Sequence, residues 1–306
     1  MPPSRQRDDL LRTRADLFTR MLQGAQDGDT RALHRLRVAS RRLRELVPLL
    51  QLEHTVARKL GRRLRKVTRR LGAVRELDVL VATLDGLHES GQYHEGGLRR
   101  VSADVARHRD AARKRIAVKT MRTELRRIAE KLAAVSSELG ASSAPDHKRQ
   151  ETACRWAVDA RITRRAEHLT GAMREAGAMY LPERLHAVRV AVKKLRYSLE
   201  LAAELAGAKQ TPDLRTLAHA QDLLGRLHDQ HVLIDRVRQT QAAASADIRA
   251  ERELAAMVDA LEDDCRRLHA RYVRDRAALA DICIRSAARV SAEPPARRAP
   301  PRRVAS

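Results

Sequence analysis

Residues 34–44 read HRLRVASRRLR and residues 186–196 read HAVRVAVKKLR, so one pattern of His, Arg, Val and paired bases occurs twice. A second pair follows in the same order: LGAVRELDVL at 71–80 returns as LGRLHDQHVL at 224–233. The two offsets are 152 and 153 residues, which a single-residue insertion or deletion explains. A period this long indicates duplicated domains and not a solenoid.

The first of these patterns separates into two faces when it is wound as an α-helix at about 100° per residue. The apolar face of the first copy holds Leu36, Ala39, Leu43, Leu46 and Val47. The basic face of the first copy holds His34, Arg37, Arg41 and Arg44. The basic face of the second copy holds His186, Arg189, Lys193 and Arg196. Each copy therefore predicts a helix with one side in a core and a separate cationic side.

The composition favours an all-α fold. Hydrophobic residues make up 43% of the 306 residues, and good helix formers dominate. Aromatic residues make up only 2%, which argues against a β-rich fold. We predict two pseudo-symmetric four-helix bundles, side by side, from an internal duplication. The predicted helices lie near 8–25, 30–50, 54–90, 95–137, 151–178, 182–206, 212–240 and 246–290.

The predicted domain organisation follows from breaks in these helical patterns. The first helical-bundle repeat covers 8–137 and the second covers 152–290. Between them, 138–151 is rich in Ser, Gly and Pro and is predicted to be a linker. The Pro- and Arg-rich tail 291–306 is predicted to be disordered, as are residues 1–7.

The net charge of +23, from 62 Lys+Arg against 39 Asp+Glu, predicts a polyanionic partner. General surface charge for solubility is the alternative, but the charge is clustered: residues 31–75 hold 15 bases and two acids. Residues 1–150 carry 34 bases and 18 acids, or +16, whereas residues 151–306 carry 28 and 21, or +7. The first half is therefore expected to contribute more of the affinity.

Aligned cations on a helix face repel one another, and an anion threaded along them removes that repulsion. A phosphate chain suits such a face, because Arg makes bidentate contacts, Lys gives a point charge and protonated His can donate. The next helix carries a second cationic stripe, made of Arg62, Arg65, Lys66 and Arg69.

The motifs HxxRVxxRRLR, LGxxRExDVL, HxxRVxxKKLRYxLE and LGxxHD resemble those of the CHAD family, the conserved-histidine α-helical domain, over about residues 8–290. The resemblance implies two pseudo-symmetric helical bundles around a basic cleft or pore. It also implies binding of inorganic polyphosphate and a location at polyphosphate granules. The ligand residues carried over by motif are His34, Arg37, Arg41, Arg42, Arg44, His186, Arg189, Lys193, Lys194 and Arg196. This sequence departs from the family at Glu76, where the family usually has Asp.

Gly72 and Gly225 lie inside helical patterns, where Gly costs about 1 kcal/mol relative to Ala. Close approach of another helix is the first explanation, and a phosphate contact to exposed backbone is the second. Three nearby acids, Glu76, Asp78 and Asp229, are expected to hold Arg side chains in position and not to act as catalysts.

Two other classes of function are open at this point. A nucleic-acid-binding or nucleoid-associated protein is one, since any chain of this charge binds DNA or RNA weakly at low salt. The near absence of aromatic stacking platforms argues against single-strand binding. An enzyme acting on polyphosphate or triphosphates is the other. The sequence lacks P-loop, HExxH and ExExK motifs, so no catalytic residue, cofactor or enzymatic activity is expected.

A metal site and a membrane role receive little support. His228, His231 and Asp235 share a helix face and could hold a metal, but such sets are usually solvated, so none is expected. Three cysteines without CxxC fit a reducing compartment, and no apolar stretch reaches 18 residues. We therefore expect a cytoplasmic protein without a membrane partner, with polyphosphate as the main partner and weak, non-specific nucleic-acid binding.

Overall fold

The computed structural model describes residues 6–27, 29–50, 52–116, 119–141, 144–208, 211–243 and 247–289. Within these ranges the chain forms ten α-helices, one 3-10 turn (Val47–Leu49) and no strand, which confirms the all-α class. The helices are α1 (Gln6–Arg20), α2 (Leu22–Gln26), α3 (Thr30–Leu46), α4 (His54–Ser90), α5 (Glu95–Ile116), α6 (Lys119–Gly140), α7 (Ala144–Ala176), α8 (Pro182–Leu205), α9 (Pro212–Ala243) and α10 (Ile248–Ala287).

Local chemistry sets the ends of the helices that carry the repeated motifs. Asp29 caps α3, because its carboxylate accepts the backbone N–H of Arg31 at 2.9 Å. Pro48 lies in the 3-10 turn that follows α3, as expected for a residue without a backbone donor. Gly91, with a φ of 64°, ends α4 in the left-handed conformation that favours glycine.

Within the helix predicted over 95–137, the structure describes α5 and α6, and residues 117 and 118 between them lie outside the described residues. Two other expectations, both at the start of the chain, are wrong. The helix predicted over 8–25 is α1 and α2, and it begins earlier, at Gln6. Arg7, expected to be disordered, is buried and donates to Gln150 at 2.9 Å.

Within the predicted linker, 138–151, α6 continues to Gly140 and α7 begins at Ala144, and residues 142 and 143 lie outside the described residues. The predicted disordered tail, 291–306, lies outside the described residues. The domain division and the internal duplication stay predictions.

Both hydrophobic cores are built from the two halves of the chain together. The larger core joins α1–α3, the first half of α4, α6–α8, the start of α9 and the end of α10. The smaller core joins the end of α4 and α5 to the end of α9 and the start of α10. The two halves are therefore buried against each other, which brings α3 into contact with α8.

A buried ion-pair network fixes α3, α7 and α8 together. Glu45 of α3 is 8% exposed, and its carboxylate pairs with Arg165 of α7. Arg165 also donates to the carbonyl of Lys194 and the hydroxyl of Ser198 on α8, each at 2.6 Å. Burial alone would raise the pKa of Glu45, but Arg165 and Arg161 outweigh it and hold the pKa below its ordinary value. The network thus sets the spacing of the two basic helices.

We predict that Glu45→Gln destabilises the protein by about 2–3 kcal/mol at pH 7, because the neutral amide leaves the partly buried guanidinium groups of Arg161 and Arg165 without an anionic partner. The pKa of Glu45 is depressed, so its contribution is full above the ordinary carboxyl pKa of about 4.3 and is lost as pH falls through the folded-state value. Denaturant unfolding from pH 7 to pH 3 measures both effects. The exposed Glu130→Gln is the matched control, and equal stability of the two variants would refute the prediction.

Candidate polyanion-binding site

Two basic helices that are far apart in the sequence face each other in the fold. Arg37 and Arg41 of α3 lie close enough to Arg189 and Lys193 of α8 for their charges to act on one another. We call these four residues the cationic cluster. Among the described residues, none of the four has a carboxylate within the 4 Å of an ion pair. Two acids act on the cluster from farther away, Glu200 on Arg41 and Asp229 on Arg189, so its positive charge is only partly offset.

The packing of each helix explains why these cations are held together. Leu36 and Leu43 of α3, and Val188 and Leu195 of α8, are fully buried in the larger core. The basic side of each helix therefore lies at the edge of that core, and solvent reaches it only in part. The Nε atoms of Arg37 and Arg41 are buried without a hydrogen-bond partner in the structure as described. Unpaired buried donors of this kind are costly in a folded protein.

The pKa of Lys193 shows most clearly that the cations of the cluster repel one another. Its pKa is lowered from 10.5 to about 8 by burial and by the charges of Arg189, Arg41, Arg37 and Arg44. A bound anion would oppose the repulsion from these neighbouring charges and so raise the pKa of Lys193, although it would leave the residue buried.

An aromatic ring adjoins the cluster. The guanidinium carbon of Arg41 lies 4.2 Å from the ring centroid of Tyr197, and that of Arg196 lies 5.5 Å from it. Arg196 also pairs with Glu200 at 3.5 Å, one helical turn away. The two cation–π contacts orient the guanidinium groups at this end of the cluster.

The predicted histidines border the cluster and favour the neutral form. Burial and the charges of Arg75 and Arg37 lower the pKa of His34. Burial and the charges of Arg189 and Lys193 lower the pKa of His186. Each ring would gain a proton more readily if an anion lay beside it.

The structure adds a partner for His186 that the sequence did not predict. Nδ1 of His186 lies 3.2 Å from Nδ1 of His228 on α9, so one ring donates and the other accepts. At least one ring must then be neutral. The pKa of His228 is lowered to about 4 by burial and by Arg189. His228 thus lies at the edge of the cluster. Among the described residues, no three His, Cys, Asp or Glu side chains are grouped closely enough to hold a metal ion.

The two LG motifs, LGAVRELDVL at 71–80 and LGRLHDQHVL at 224–233, could have shown that α4 and α9 contribute side chains to this edge of the cluster. Arg75 of α4, which was not among the predicted site residues, acts on His34, Arg37 and Asp229. It occupies the same motif position as His228, three residues after the glycine. Each LG motif therefore places one basic or imidazole side chain at the cluster.

Other predicted site residues lie around the cluster or away from it. Arg42 and Lys194 are exposed, and Arg44 is half-buried at 3.4 Å from Glu45. The second stripe lies on an exposed face of α4, and it is Arg75 of that helix whose charge acts on the cluster. The stripe comprises Arg62, Arg65, Lys66 and Arg69, and in the described part of the chain none of them forms an ion pair.

The three acids expected to hold arginines behave differently from one another. Asp78 accepts a hydrogen bond from Arg113 at 2.8 Å, which confirms the expectation there. Asp229 forms no ion pair among the described residues, and burial raises its pKa despite the charges of Arg189 and Arg75. Glu76 is exposed and likewise has no cation within ion-pair distance in that part of the chain.

The first explanation for the mid-helix glycines is wrong. A Cβ built on Gly72 or on Gly225 would meet no atom within 4 Å, apart from its own helix backbone and neighbours. No other helix approaches closely enough to require glycine at either position.

Comparison with known proteins identifies the family. The model of the CHAD domain matches residues 10–238, which is more than half of the chain. The chain belongs to the CHAD family. The CHAD domain from the plant Ricinus communis has a TM-score of 0.50 at 21% identity, covering 96% of this chain and 93% of that one. PptA from Streptomyces chartreusis has a TM-score of 0.58 at 19% identity, covering 94% and 99%.

At these identities the two solved structures support the CHAD fold alone. None of the curated proteins matches the chain significantly. Across the described residues, no helix has the length and apolar character needed to cross a membrane.

We predict that Lys193→Met stabilises this CHAD protein at pH 7 by about 1 kcal/mol. This value is smaller than the free energy equivalent to the full pKa shift, because solvent screens part of the repulsion. The pKa of Lys193 is lower in the folded state than in the unfolded chain. Lys193 therefore destabilises the folded state at any pH at which the unfolded chain keeps the lysine proton. The advantage of the variant should be full below about pH 8 and vanish above the ordinary lysine pKa of about 10.4.

Denaturant unfolding of both proteins from pH 7 to pH 10.5 measures this difference. The neighbouring, exposed Lys194→Met is the control and should change stability little at any pH. A Lys193→Met variant less stable than the wild type at pH 7 would contradict the prediction.

Proposed function

We propose that this protein binds inorganic polyphosphate, without catalytic turnover, at the cationic cluster between α3 and α8. The proposal rests on one observation: four cations, two from each half of the chain, lie close together, and none of them pairs with an acid in the described structure. The CHAD motifs, which imply polyphosphate binding, support the same ligand. The cellular site that we propose is the polyphosphate granule.

A phosphate polymer fits the chemistry of the cluster. Every phosphate unit carries negative charge, so one chain can contact bases of α3 and α8 together. Arg37, Arg41 and Arg189 can each give bidentate hydrogen bonds to phosphate oxygens, and Lys193 gives a compact charge. His34 and His186 can add donors when a bound chain raises their pKa values. The stabilisation gained on binding would offset the repulsion that lowers the pKa of Lys193 in the free protein.

The binding test is competition at physiological salt. Polyphosphate should displace DNA and RNA from the protein far more readily than either nucleic acid displaces polyphosphate, because the cluster suits closely spaced phosphates. Polyphosphate recovered after long incubation should keep its chain length. Preferential retention of nucleic acid would favour the nucleic-acid-binding alternative, and sustained cleavage abolished by a point mutation would refute the non-catalytic role.

We predict that Arg37→Gln with Arg41→Gln weakens polyphosphate binding by about 30- to 100-fold, from two lost charged hydrogen-bonding groups. Arg189→Gln with Lys193→Gln should weaken it less, because the first half carries the larger net charge and Lys193 is already partly neutral near pH 8. Isothermal titration compares the pairs. Arg252→Gln with Arg274→Gln removes the same charge from an exposed part of α10 and is the control. Equal losses from all three pairs would show that only net charge matters.

Binding should depend on pH in two separate windows. Bound phosphate raises the pKa values of His34 and His186, so affinity should rise as pH falls through their bound-state values and level off below their free-state values. Lys193 adds a second window, in which affinity declines as pH rises above about 8. His34→Gln with His186→Gln should remove the first window and keep the second. With polymer ionisation controlled, equal affinity at pH 5.5 and pH 8 would assign the histidines a structural role.

A further inference from the structure

Two glycines occupy equivalent places in the two LG motifs. Gly72 and Gly225 each follow a leucine, Leu71 or Leu224, that is almost completely buried. Each glycine is therefore turned about 100° from the core side of its helix. Both lie well inside long helices, α4 and α9, and each has open space where a side chain would begin.

Open space alone does not distinguish these positions. Gly61, Gly86 and Gly171 also lie inside helices, and a Cβ on any of them would meet nothing within 4 Å. What distinguishes Gly72 and Gly225 is the side chain three residues later. Arg75 acts on His34 and Arg37, and His228 contacts His186, so both glycines lie one helical turn from the edge of the cationic cluster.

The direction of helical side chains places a ligand over these glycines. Side chains in an α-helix lean toward the N-terminus and cover the preceding turn. A phosphate chain that contacts Arg75 would therefore lie over the turn that carries Gly72. The same holds for His228 and Gly225. The two helices are neighbours here, since α4 contacts α9 and the charges of Arg75 and Glu76 act on Asp229.

We propose that bound polyphosphate leaves the cluster across α4 and α9 at Gly72 and Gly225, where the missing Cβ lets phosphate oxygens reach the helix surface. This inference rests on the proposed polyphosphate binding and adds a subsite to it. The backbone N–H groups of a helix interior are already used, so glycine contributes room and weak Cα–H contacts in place of strong hydrogen bonds. Any larger side chain would stand in the path of the ligand.

The test separates helix stability from ligand binding. Gly72→Ala and Gly225→Ala should each raise the Tm by roughly 2 °C, because Ala favours helix and nothing clashes. Each should nevertheless weaken polyphosphate binding by about threefold, and Gly72→Leu and Gly225→Leu by about tenfold or more, because the added atoms crowd the ligand. Gly86→Ala in α4 and Gly171→Ala in α7 are matched controls, with the same expected gain in Tm and unchanged affinity.

Thermal unfolding and isothermal titration on the same samples give both readouts. Glycine variants that gain Tm and keep full affinity would overturn the subsite, while polyphosphate binding by the cluster would stand. Equal affinity losses at Gly86 or Gly171 would also overturn it, since the loss would then follow helix stiffness and not position. A wild-type protein that binds no polyphosphate would refute the proposed function, and the subsite with it.

Discussion

The contact between α3 and α8 brings like charges together, and most features of the site follow from it. Each helix buries one side in a core shared by both halves, so its cationic side lies at the edge of that core. Solvation there is too limited to screen the charges fully, and burial and neighbouring charges together lower the pKa of Lys193 to about 8. The Glu45 and Arg165 pair, with its bonds to α8, opposes the separation of the two helices.

The protein thus has two adjacent layers of cations: in one layer the cations form ion pairs with acids, and in the other they do not. Behind the cluster, Arg14 and Arg165 have acidic partners, Glu204 and Glu45, and also donate to backbone carbonyls of the basic helices. At the cluster itself the cations lack such partners among the described residues. A structure that serves stability alone would pair both layers, because unpaired cations at the edge of a core lower stability. The difference between the layers is the physical argument for an anionic ligand.

Helical periodicity and repeated motifs predicted much of this arrangement from the sequence. The starts of α3, α4, α8 and α9, the buried and basic sides of α3 and α8, and the CHAD family all followed from local patterns. The division of the first predicted helix into α1 and α2 did not, because no Gly or Pro lies at Met21 to mark it. The partners His228 and Arg75 were also missed, since only the fold brings α4 and α9 beside α3 and α8. Local rules likewise could not show whether Gly72 faces another helix or open space.

The central claim is that the cationic cluster, whose four residues pair with no acid in the described structure, is completed by bound polyphosphate. Its most direct test is the pKa of Lys193, measured by NMR on isotopically labelled protein with and without polyphosphate, with Lys194→Arg simplifying assignment. We expect a pKa of about 8 in the free protein and a value at or above the ordinary 10.4 or so in the complex. An Arg37→Gln variant should raise the free value, which ties it to the neighbouring charges. A Lys193 pKa that is unchanged by saturating polyphosphate would contradict the account.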